Sequence, residues 1–197
     1  MICPRLELAL VHYPVLNRRG ESIGSAITNL DLHDIARASR TFGVHRYWVI
    51  SPFAEQRHMA EEILDHWRQG YGAQSNPDRG EALNLVQVCG SVHEAVAGMN
   101  AALEGKRTTV VATCARNGRE NLSYSSMRTR LWQGEAFLVL LGTGWGLAPE
   151  ILDEADAVLP PILGYGSYNH LSVRSAAAII LDRLMGSVNN CPDGAAG

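Results

Sequence analysis

Two glycine loops carry the residue types that invite chemistry. The first, Gly142-Thr143-Gly144-Trp145-Gly146, follows the apolar run Phe137-Leu138-Val139-Leu140-Leu141. The second, Gly164-Tyr165-Gly166-Ser167, follows a strand ending at Leu159-Pro160-Pro161-Ile162, and a helix opens behind it at Tyr168-Asn169-His170-Leu171-Ser172-Val173. Strand ends that empty into glycine loops and then helices build a ligand crevice at the carboxyl edge of an α/β sheet. The pocket so formed is neutral, with Trp145, Tyr165 and Tyr168 close by, and it suits a flat heterocycle held by main-chain groups. The plain alternative is that these glycines make tight turns and nothing else.

Several occupants are excluded by what is missing. A dinucleotide fingerprint needs G-x-G-x-x-G in the first βα unit and an acidic residue about 20 positions on. Here the loop comes late, and no carboxylate stands between Asp156 and Asp182. No glycine loop ends in Gly-Lys-Ser/Thr, and neither Ser167 nor Ser172 sits in the G-x-S-x-G elbow of a serine hydrolase. The seven histidines show no ligand spacing and the four cysteines (Cys3, Cys89, Cys114, Cys191) form no C-x-x-C pair, so no metal is expected. Scattered thiols without a signal peptide read as reduced, which predicts a cytoplasmic protein, and no apolar run approaches a membrane span.

The elements that must position these loops follow from periodicity. Leu6 to Val11 reads as the first strand, and Pro14 to Ile23 as a polar loop. Leu32, Ile35, Ala36, Ser39 and Phe42 fall at helical spacing, with Asn29 or Asp31 to cap the start and Gly43 to end it. His33, Arg37 and Arg40 then share another face, ordinarily the solvated one. Further strands are expected at Tyr47 to Ile50, Leu85 to Val88, Thr108 to Thr113 and Phe137 to Leu141. Helices are expected over 55–69, after the capping box Ser91-x-x-Glu94, over 124–132, behind Pro149 and over 168–185, with a loop from Gly70 to Gly80. The last helix is apolar nearly all round, which implies burial on more than one side. With 197 residues and 46% hydrophobic content, the chain predicts one α/β domain around a mostly parallel sheet of about six strands, helices on both faces.

Net charge is −3, so the chain as a whole is no basic nucleic-acid binder. Lys106, Arg107, Arg116, Arg119, Arg128 and Arg130 nevertheless cluster in one stretch, against Glu104, Glu120 and Glu135. Such a run fits a phosphate-binding patch or an ordinary charged surface.

Three segments together resemble the SPOUT class of S-adenosylmethionine-dependent RNA methyltransferases, in its small bacterial single-domain group. Leu140 to Leu147 resembles the second motif of that class, and Pro161-Ile162 with Tyr168 to Ala177 resembles the third. Asp31-Leu32-x-x-Ile35-Ala36-Arg37, running on to Phe42-Gly43, resembles the first motif of the ribose-methylating branch, with Asp31 where an Asn is usual. The similarity covers Leu6 to Met185 and implies a single domain over residues 1–188, while residues 189–197 read from the sequence itself as a disordered tail. It also implies a deep C-terminal trefoil knot, against the general rule that chains do not thread loops. A homodimer through the knot region is implied as well.

By the same resemblance, S-adenosylmethionine lies against Leu141, Gly142, Thr143, Gly144, Trp145 and Gly146, against Pro161 and Ile162, and against Tyr168, Asn169, Leu171, Ser172, Val173 and Ala176. Thr113 and Cys114 are expected at the pocket floor. Arg37, Asn169 and Ser172 are the expected catalytic residues, with Arg37 as base or as positioning group for a phosphate or hydroxyl. The implied activity is methyl transfer to RNA, tRNA or rRNA, with a ribose 2′-hydroxyl favoured over a base nitrogen. The alternative is a non-catalytic module that keeps the cofactor and RNA sites.

Overall fold

The computed structural model describes residues 4–103 and 107–187. Alternating side chains of β1 (Arg5–Val11) put Leu6, Leu8 and Leu10 on one face and Glu7, Ala9 and Val11 on the other, all of them buried. A strand apolar on both faces belongs in the middle of a covered parallel sheet. Here β1 pairs in parallel with β4 (Tyr47–Ile50) on one side and β7 (Ala136–Gly142) on the other. With β5 (Val86–Cys89), β6 (Thr109–Thr113) and β8 (Ala157–Leu159), the order is β5-β4-β1-β7-β6-β8, and every pairing is parallel.

Helices cover both faces. Leu6, Leu8, Leu10, Phe137, Val139 and Leu141 pack against α1 (Asn29–Thr41), α2 (Ala54–Arg68), α4 (Pro77–Leu83), α6 (Tyr124–Trp132) and α8 (Val173–Met185). The other face is closed by Ala95 and Met99 of α5 (Val92–Asn100) and by Ile151 and Leu152 of α7 (Pro149–Glu154). The helix after β1 and the helix after β7 therefore leave towards opposite faces. Between those two strand ends, at the register pair Val11 and Gly142, the chain must part and leave a crevice.

Four details depart from the sequence reading. Pro14 to Ile23 holds an antiparallel hairpin, β2 (Val15–Leu16) with β3 (Ser22–Ile23), because Val15 and Leu16 are buried. The cap of α1 is Thr28, whose hydroxyl accepts from the Asp31 N–H at 3.1 Å, so neither Asn29 nor Asp31 fills that place. Residues 70–80 carry α3 (Tyr71–Ser75) and the start of α4, with Asn76 as cap and Pro77 at the first position. Gly80 serves packing there, since a Cβ would stand 2.8 Å from the Trp67 carbonyl oxygen. The last helix starts at Val173 rather than Tyr168, and its buried residues (Ala177, Ile180, Leu181, Leu184) form one stripe rather than a full circumference. The expected tail and Lys106 lie outside the described residues.

Glu7 is the costly element of this core. It is fully buried, and its carboxylate accepts from the Trp48 indole N–H at 2.7 Å and from Arg5 at 3.1 Å. Removing the indole donor leaves a buried charge short of a partner, so Trp48→Phe should destabilise the fold by about 1–3 kcal/mol in urea unfolding. The same change in a Glu7→Leu background should cost clearly less.

Candidate functional site

The crevice opens at the carboxyl ends of β1, β6 and β7 and has a volume of about 1180 Å³. Its floor is tied together by side-chain hydroxyls. Thr113 donates to the Leu140 carbonyl at 2.9 Å, and Thr143 donates to the Val11 carbonyl at 3.2 Å while touching the Ser25 hydroxyl. Ser25 in turn contacts Nδ1 of His12 at 3.1 Å. His12 is fully buried, its Nε2 has no partner among the described residues, and burial lowers its pKa from 6.5 to about 4.

One wall is the first glycine loop, fixed by the segment that follows β1. The Leu16 N–H donates to the Gly146 carbonyl and the Trp145 N–H donates to the Leu16 carbonyl, both at 2.9 Å. Gly144 has φ +59°, and a Cβ there would stand 2.9 Å from the Leu16 oxygen. At Gly142 a Cβ would stand 2.5 Å from the Leu147 nitrogen. These glycines are required by backbone against backbone, which is the close approach a main-chain binding loop needs.

The opposite wall is the irregular stretch 160–172. The Tyr124 hydroxyl donates to the Pro160 carbonyl at 3.2 Å, and the Asn169 amide donates to the Ala115 carbonyl at 2.8 Å. Ser172 caps α8, its hydroxyl accepting from the Ser175 N–H at 3.2 Å.

Most of the residues singled out from sequence meet in this crevice. Thr113, Cys114, Leu141, Gly142, Thr143, Gly144, Trp145, Gly146, Pro161, Ile162, Asn169, Leu171, Ser172, Val173 and Ala176 all line it. Tyr168 does not; it is 77% exposed and packs edge-on against His170. Arg37 does not either: it lies on the exposed face of α1, whereas Asp31, six residues earlier, lines the crevice. Asp31 accepts from the Thr28 hydroxyl at 2.6 Å and lies 3.8 Å from Arg174. The sequence reading missed Arg18, Arg19, Ser25, Tyr124 and His170, which also line the crevice. Two adjacent arginines before a glycine, behind the apolar pair Val15-Leu16, were the available signal for a displayed turn.

The basic stretch reads differently in three dimensions. Arg107 pairs with Asp156, Arg119 with Asp153 and Arg130 with Glu135, while Arg128 donates to the carbonyls of Arg183 and Gly186. The charge of these four is met within the fold, whereas Arg116 is exposed and lines the crevice. No described helix is long and apolar enough to cross a membrane.

A parallel sheet whose strand order reverses at a glycine-lined crevice defines an α/β protein with a small-ligand crevice at the carboxyl ends of its strands. A family model described as SAM-dependent RNA methyltransferase matches residues 5–186, and the chain belongs to that family. The methyl donor expected from sequence, S-adenosylmethionine, is the one this family uses. A tRNA (guanine-N(1)-)-methyltransferase of Oleidesulfovibrio alaskensis is 46% identical over 181 residues, 92% of this chain and 42% of that protein. The chain thus spans under half the length of that curated relative. An uncharacterized protein of Aquifex aeolicus is 36% identical over 97% of this chain and 93% of its own length. The SpoU methyltransferase AviRb of Streptomyces viridochromogenes, solved with AdoMet, shares the fold at TM-score 0.55 and 18% identity, covering 92% of this chain and 57% of that one.

Two outcomes test this geometry. Gly144→Val should weaken S-adenosylmethionine binding about tenfold or more in calorimetry, with an unchanged circular dichroism spectrum, because strain at one such position suffices. His12 gives a pH dependence of stability. Its folded pKa lies below the unfolded 6.5, so the unfolded chain takes up a proton the folded chain refuses. Stability should fall as pH drops from about 6.5 to about 4, by about 3 kcal/mol for this group. Burial also lowers His33 and His45, so His12→Asn should reduce the loss seen in unfolding titrations rather than abolish it.

Proposed function

We propose that this chain transfers the methyl group of S-adenosylmethionine to a nucleotide of RNA, and that the acceptor atom is a ring nitrogen. The carrying observation is the crevice itself. Its volume of about 1180 Å³ exceeds the roughly 300–1,000 Å³ of a single small-ligand site, so cofactor and nucleotide fit side by side. The donor set fits the cofactor. Gly146 has open space where a Cβ would be, so a ligand can come close to the loop there, and the opposite wall adds Asn169 and Ser172. In this reading the glycine loop and Pro161 to Ala176 hold the cofactor over the Thr113–Cys114 floor. S-adenosylmethionine supplies an electrophilic methyl group, and the protein supplies alignment.

Proton removal favours the ring nitrogen over the 2′-hydroxyl expected from sequence. That expectation rested on the Arg37 motif and on the lack of an obvious carboxylate in the third motif, and Arg37 is exposed on α1 and does not line the crevice. Asp31 is the carboxylate among the described lining residues and is the group able to accept a proton there. The relatives named for guanine N1 agree, although the chain matches 42% of their length. Arg37 retains a role only where RNA or a second copy brings its exposed side chain to the site.

The same reading carries a homodimer and a C-terminal knot. Leu163, Tyr165, Tyr168 and Leu171 are exposed on one loop beside the crevice, an apolar surface suited to a second copy. Light scattering should therefore give twice the chain mass.

Calorimetry should detect S-adenosylmethionine and not NAD. Labelled methyl groups should enter RNA, and nucleoside mass spectrometry should place them on a base; label on ribose would return the 2′-hydroxyl. Asp31→Asn should lower kcat about 10²- to 10⁴-fold with cofactor affinity retained. Cofactor binding with no methyl transfer to any RNA would leave a non-catalytic binding module.

A further inference from the structure

The mouth of the crevice carries two chemistries that a neutral cofactor pocket does not call on. On one side stands the turn of the β2–β3 hairpin. Its Arg18 and Arg19 are exposed, and their guanidinium groups have no partner among the described residues. The turn is rigid: Oδ1 of Asn17 accepts from the N–H groups of Arg19 and Glu21, at 2.8 and 3.0 Å. Glu21, its carboxylate, is engaged by the Asn17 amide at 2.6 Å. Beside it and across the mouth stand exposed aromatic rings. Trp145 is 53% exposed, its centroid lies 6.0 Å from that of His170, and His170 lies 5.3 Å from Tyr168.

The two sides are fixed to each other. Both backbone bonds that seat Leu16 on Trp145 and Gly146 lie one to three residues from Asn17 and the arginines. A cationic turn held at a set distance from an aromatic group matches a nucleotide, with its phosphates on the arginines and its base on the rings. A base inside a duplex cannot offer its face to such rings, whereas a splayed or looped-out base can.

We infer that the crevice mouth is a clamp for one unpaired nucleotide of RNA, its base stacked on Trp145 with the His170 ring standing at 68° to that indole, and its flanking phosphates held by Arg18 and Arg19. This rests on the RNA methyl-transfer reading above, and it assigns the Trp145 indole to the acceptor base rather than to adenine. It also assigns the phosphate contacts to the hairpin rather than to the paired arginines of the basic stretch.

The test is fluorescence anisotropy with S-adenosylmethionine present, using a short labelled single-stranded oligoribonucleotide and a blunt RNA duplex. The single strand should bind more tightly. Arg18→Glu with Arg19→Glu should weaken it and reduce the slope of log affinity against log salt by about 1.4, the value for two phosphate contacts on a single strand. Trp145→Ala should cost about 5- to 100-fold. Arg107→Glu with Arg119→Glu, an equal change in charge, should leave binding near wild type.

Preference for the duplex, hairpin and indole variants that bind as wild type, or an equal loss in the Arg107/Arg119 control would each overturn the clamp. So would loss of S-adenosylmethionine affinity in the hairpin variant, or a loss in Trp145→Ala as large for the cofactor as for the single strand, since those residues would then belong to the cofactor. A wild-type protein that binds neither RNA while binding S-adenosylmethionine would instead sink the RNA reading itself.

Discussion

Two main-chain hydrogen bonds between Leu16 and the 145–146 peptide units hold the site together. They join the segment leaving β1 to the loop leaving β7, although more than a hundred residues separate them. Without them the glycine loop would lose its main tie to the segment after β1, and glycine costs more to fix than any other residue. Gly142 and Gly144 remain glycine because neighbouring backbone occupies the place of a side chain. The permissive residue is thus held by its surroundings rather than by itself.

Beneath that joint lies a polar layer in an otherwise apolar core. His12, Ser25 and Thr143 contact one another in sequence, and Thr143 closes on the Val11 carbonyl. The layer anchors the ends of β1 and β7 where their ladder stops. Its histidine remains neutral because it is sealed from water, so the layer carries no net charge beneath a site expected to receive a cation.

Much of this was legible in the sequence, for identifiable reasons. The strands Phe137 to Leu141 and Leu6 to Val11 are continuous apolar runs, and continuous runs mark central parallel strands. The glycine loop and the stretch around Asn169 announced themselves by composition, and the structure brings them to one crevice. The hairpin did not, because Val15 and Leu16 are too short a run to signal a strand and are buried only by partners far along the chain. The start of α8 was read a turn and more early, since the residues from Tyr168 to Leu171 have no feature that forbids a helix; a tertiary bond from Asn169 to Ala115 holds one of them in the loop. The ion-pair partners of the basic stretch were hidden for the same reason. Asp153, Asp156 and Glu135 meet its arginines across the fold, and linear spacing shows only the last of these as a neighbour.

The central place of β1 has a consequence for how the chain comes into being. Its partner β7 is completed only at Gly142, so during synthesis the first strand waits with one edge unpaired while most of the chain is made. Contacts of such long sequence separation form slowly, and an exposed strand edge invites pairing with other chains. The crevice cannot exist before that wait ends. A nascent chain can therefore hold neither ligand nor substrate until the stretch through Ala176 has been made, and the interval before then is its most aggregation-prone.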